Sequence, residues 1–156
     1  MKSVRISLLE IGAILMLMLS LFPLLHYGAL DGVAGPRHYS GGVADAWGNR
    51  TMFLWIGVIA LVVYGLLFFC QKHPQLINLS NRSSHDRASM TDKDRLRAVA
   101  IARTLKFWAL AVIACLSLCT YLAATGVPNP PTWCTYLLLA LMFGHLLIIS
   151  VQSRRE

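Results

Sequence analysis

The chain has 156 residues, of which 56% are hydrophobic and only 13% charged, with a formal net charge of +7. A water-soluble domain carries roughly a quarter charged residues, so a soluble globular fold is excluded, and the spared charge leaves long uncharged blocks of the kind that cross bilayers. Nucleic-acid binding fits poorly as well, because the basic residues are strung along the chain instead of being gathered on one module.

The first block, residues 6–25, reads ISLLEIGAILMLMLSLFPLL. At about 1.5 Å per residue it reaches across a hydrocarbon core of about 30 Å. Lys2 and Arg5 precede it like the basic start of a signal peptide, but no small-x-small cleavage site follows and the apolar run is long, so a retained span is expected. Glu10 falls about one turn inside this span. An intramembrane carboxylate is costly and so a functional candidate by default; the competing expectation is a side chain that snorkels to headgroup water.

The connector at residues 26–50 is rich in glycine and shows no clear helical or strand period, which predicts turns and a short interfacial segment. His26, Asp31, His38 and Asp45 are metal-ligand types, but their spacing matches no metal signature, and neither a metal nor another cofactor is expected. Gly41, Gly42 and Gly48 permit sharp turns, so that His38 and Asp45 can fold over the mouth of the bundle and bond each other. Such a pair reads equally as a structural tie and as a working site. Trp47 and Arg50 stand where ring and guanidinium anchor at headgroups.

Residues 52–70 form the second block, which carries no charge. After it, His73-Pro74 and Asn78 suggest a cap and turn at the membrane surface, with Asn78 bonding exposed carbonyls. Thr91 reads as a helix N-cap with Asp92 and Asp94 in the first turn, and Leu96, Val99, Ala100 and Arg103 recur at helical spacing. This segment is therefore expected to run straight into a third span at residues 107–125, as one long helix whose basic start rests on an anionic leaflet. GVPNPPT predicts a tight turn into a fourth span at residues 133–151. There His145 is either a neutral histidine bonded to a neighbouring helix or a titrating or ligand-contacting group in the bundle interior. Gly144 beside it would let another helix come close. Cys115 and Cys119 lie one turn apart and read as small packing residues, Cys70 and Cys134 fall at opposite ends, and no disulfide framework is visible.

Of the fourteen Lys and Arg, Lys2 and Arg5 precede the first span, Arg154 and Arg155 follow the last, and eight lie at residues 71–106. Only Arg37 and Arg50 lie on the other side. The positive-inside rule then gives an all-α polytopic membrane protein of four transmembrane helices, forming a single membrane domain, with both termini and the basic loop cytoplasmic.

Pro36-Arg37-His38-Tyr39, then Gly42, Asp45 and Trp47-Gly48-Asn49-Arg50 ahead of a span, with Asn78 soon after it, resembles the bacterial membrane domain that forms the N-terminal half of SdpI-type immunity proteins. Ser40 stands where asparagine is usual in that family, and Asn49-Arg50 where Ser-Lys is usual. The resemblance covers roughly residues 14–80. It implies a helical protein of the bacterial inner membrane whose extracytoplasmic loop is a packed element. One branch of the family confers resistance to a secreted peptide toxin and relays its presence to a cytoplasmic repressor.

The expected function is accordingly non-enzymatic immunity or signalling, with residues 35–50 as the recognition element for an extracellular peptide. The basic loop would face lipid or a cytoplasmic regulator. The alternative is a small transporter or accessory subunit using Glu10 and His145. An intramembrane enzyme ranks last, because no nucleophile–base pair is visible. Four short spans also leave room for self-association.

Overall fold

The computed structural model describes residues 8–30, 35–40, 43–77, 91–127 and 130–155, with side chains described for these except at 35–48 and 149–155. Asn78, Asp31, Gly41 and Gly42 lie outside the described residues. The membrane-spanning part is all-α. The helices are α1 (Leu8–Leu25), α2 (Thr51–Lys72), α3 (Asp92–Ala124) and α4 (Trp133–Arg155). Among the described residues, α1, α2 and α3 are long and apolar enough to cross a membrane, and α4 adds a shorter apolar stretch over Trp133–Ile148. The chain is thus a polytopic membrane protein.

α3 is the hub. It packs against α1, α2 and α4, while α1 also packs on α2. Its buried residues include Ala98, Ala102, Ala111, Ala114, Ser117 and Ala123, and such small side chains let neighbouring backbones approach where lipid supplies no hydrophobic drive. Close approach is visible at two glycines elsewhere. A Cβ at Gly12 would sit 2.9 Å from the Phe107 ring, and one at Gly57 would sit 2.9 Å from Leu24. The core has two centres: Ala13, Ala60 and Leu110 with Met16, Tyr64 and Phe107 around them, and Leu30, Phe53 and Ala124 with Leu24 and Tyr121. Outward faces carry exposed apolar residues such as Leu15, Met18, Val58, Leu61, Leu66, Leu141 and Leu147. That inversion suits a lipid surround.

Polar backbone in the apolar layer is answered locally. Pro23 lies inside α1 and cannot donate. One turn before it, the Ser20 hydroxyl donates to the Met16 carbonyl at 2.8 Å, and the Ser20 carbonyl accepts from the Ser117 hydroxyl of α3 at 2.8 Å. α3 begins as expected: the Thr91 hydroxyl oxygen accepts from the Asp94 N–H at 3.2 Å. It ends on a Schellman motif, with Val127 N–H bonding the Leu122 carbonyl and Gly126 N–H bonding the Ala123 carbonyl. Gly126 has φ +86°, the left-handed region open to glycine without penalty.

The connector after α1 departs from the expected turns. A 3₁₀ turn at Tyr27–Leu30 buries Leu30, and a two-stranded antiparallel hairpin follows, β1 (Gly35–Ser40) and β2 (Val43–Gly48). The register pairs Gly35 with Gly48, Pro36 with Trp47, Tyr39 with Ala44 and Ser40 with Val43, with irregularities on both sides of His38, which pairs with Ala46. Pairing that shifts in mid-strand erases a clean two-residue alternation, which is why the strands left no period in the sequence. β1 lies against α3.

Candidate functional site: a buried ion pair at one end, a hairpin at the other

Helices and connectors place the sequence candidates at two ends of the bundle. At the basic end, Glu10 in the first turn of α1 does not turn outward to headgroups. Its Oε1 accepts from Lys106 Nζ of α3 at 2.5 Å, with the lysine side chain 0% exposed and the glutamate 18%. The Lys106 ammonium also lies 4.7 Å from the Tyr64 ring centroid and 5.5 Å from that of Phe68, two α2 rings stacked 6.1 Å apart. Three helices therefore converge on one cation, answered by a carboxylate and by aromatic faces whose quadrupoles attract it. Glu10 Oε2, Gln71 Nε2 and Arg103 Nε are buried without a hydrogen-bond partner among the described residues.

Lys106 is the residue that sequence reasoning missed. It was grouped with the basic loop as a topology charge. The available signal was depth: Glu10 lies a turn inside one end of the first span, and Lys106 immediately precedes the third, which starts from the same side. Opposite charges at one depth in an apolar layer have every reason to meet, because each alone costs several kcal/mol.

His145 receives a hydrogen bond on Nδ1 from Trp108 Nε1 at 3.1 Å, and the two rings stand nearly perpendicular. This links α4 to α3. Among the described residues nothing lies within 4 Å of where a Cβ at Gly144 would be, so that face of α4 is open to another helix and carries none here. Lys106 and Trp108 are two residues apart, about 200° around a helix. Glu10 and His145 consequently lie on opposite sides of α3 and are not brought together.

At the hairpin end, Phe22, His26 and Tyr121 form a ring cluster, with centroids 4.9 to 5.8 Å apart. Arg50, at the head of α2, places its guanidinium 5.0 Å from the Tyr27 ring centroid. These contacts bind the connector to the helix ends. The backbone register sets His38 and Asp45 on facing strands in the irregular part of the hairpin, while their side chains lie outside the described part. Among the described residues, no group of three or more His, Cys, Asp or Glu is placed to hold a metal ion. His73 caps the end of α2 and Pro74 opens a short 3₁₀ turn through Leu76.

The arrangement is a helix bundle pinned at its basic end by a desolvated charge pair and capped at its other end by a backbone-paired hairpin. No family model, curated protein or solved structure matches the chain.

Proposed function

We propose that the chain is a non-enzymatic protein of the bacterial inner membrane, SdpI-like, of the toxin-immunity and signalling type. The hairpin meets an extracellular peptide, and the basic start of α3 meets lipid or a cytoplasmic regulator. One observation carries this reading: β1 lies against α3, and α3 is a single helix of 33 residues, about 50 Å long at about 1.5 Å per residue. Its apolar part fills a bilayer, and its basic first turns, with Lys93, Arg95 and Arg97, stand beyond it. A binding event on the hairpin thus bears directly on the element that emerges on the other side.

Transport through Glu10 and His145 has less support, because α3 separates the two residues. The discriminating experiment challenges cells with secreted peptide toxins, with and without the gene, and with His38→Ala and Asp45→Ala at matched membrane levels. Loss of protection in both variants is the expected result. Full protection by both would remove the hairpin as recognition element, and unchanged sensitivity on deletion would remove immunity.

A further inference from the structure

Three of the four cysteines gather where α3 meets α4. Thr135 Oγ1 of α4 donates to Cys115 Sγ at 3.4 Å. Cys119 Sγ lies 3.7 Å from the Pro131 carbonyl oxygen, and that same oxygen accepts the Cys134 N–H at 3.0 Å. One carbonyl therefore bridges the buried Cys119 thiol of α3 and the backbone of half-exposed Cys134, the second residue of α4. Both are free thiols in the structure.

We infer that Cys119 and Cys134 form an oxidisable pair, whose disulfide pins the peripheral α4 to α3 at the hairpin end. The other pairings fit less well. Cys115 and Cys119 stand on one helix a turn apart with parallel side-chain directions, and Cys115 is engaged by Thr135. Cys70 lies near the far end of α2, and a disulfide requires Cα atoms within about 7 Å. The excess of Lys and Arg on the other side puts the hairpin end in the extracytoplasmic compartment, where disulfides persist.

The chemistry is thiol–disulfide exchange with a disulfide oxidant of that compartment. Cys134, half-exposed in the first turn of α4, is more accessible than the buried Cys119 and starts the exchange. The Cys134 thiolate attacks the oxidant's S–S bond, forming a mixed disulfide and releasing one thiol. Cys119 Sγ then gives up its proton and attacks Cys134 Sγ, forming the internal S–S bond and releasing the second thiol. Two S–H bonds become one S–S bond, and two electrons and two protons pass to the oxidant.

The test holds full-length protein in membranes in glutathione disulfide and then alkylates it in denaturing detergent; one portion is mapped as peptides without reduction, and another is reduced, given a second label and mapped. Two thiols should resist the first label and accept the second, and mapping should join the Cys119 and Cys134 peptides. Cys115→Ser and Cys70→Ser should leave that link intact, while Cys119→Ser should abolish it and leave Cys134 as a free thiol or as a mixed disulfide with glutathione. Labelling of all four thiols before reduction, or a link through Cys115 or Cys70, would overturn the pairing. Because the wild-type protein supplies the decisive map, misfolding of a variant does not rescue the proposal.

Discussion

A lysine held at 0% exposure inside a helical bundle needs partners for its ammonium group, and Lys106 meets Glu10 on α1 and the Tyr64 and Phe68 rings on α2. Removing one partner strands the other. Glu10→Ala or Lys106→Ala should therefore cost about 3 kcal/mol of stability, read as a lower unfolding midpoint in detergent. The apolar double exchange Glu10→Leu with Lys106→Met should recover most of it, because a buried ion pair gains little over a packed apolar one. Equal loss in single and double variants would contradict a mainly structural pair. Glycine contrasts work at the same scale. Gly12→Ala drives a methyl into the Phe107 ring at 2.9 Å and should cost about 1–3 kcal/mol. Gly144→Ala meets open space and should shift the midpoint little, with a small gain from helix propensity.

At the scale of elements, the helices were legible because each contains one long apolar block bounded by polar residues. Thr91, Asp92 and Asp94 also marked the start of α3 by ordinary capping chemistry. Thr91→Ala should fray that start by about 1 kcal/mol, seen as faster amide exchange over the first turns of α3 while exchange in the apolar part stays slow. Uniform exchange across α3 would contradict the separation. The hairpin was not legible. Its strands hold glycine, proline and shifted pairs, so no two-residue pattern survives, and its placement depends on α3, far away in sequence. The inward turn of Lys106 was hidden for a related reason: a basic residue at a span's edge has the same local sequence whether it faces headgroups or a carboxylate. His145 stood out as a polar side chain in an apolar span, but its tie to Trp108, 37 positions away, cannot be read from either neighbourhood.

The whole molecule joins a hairpin at one end, a hub helix through the middle and a basic helix start at the other. The two ends should lie on opposite sides of a membrane. The most direct measurement places single cysteines at exposed Val127 and at Arg95, in a background with serine at Cys70, Cys115, Cys119 and Cys134, and labels intact cells with a membrane-impermeant maleimide. Val127→Cys should label in intact cells, and Arg95→Cys only after permeabilisation. Labelling of both positions from one side, or the reverse order, would contradict that placement.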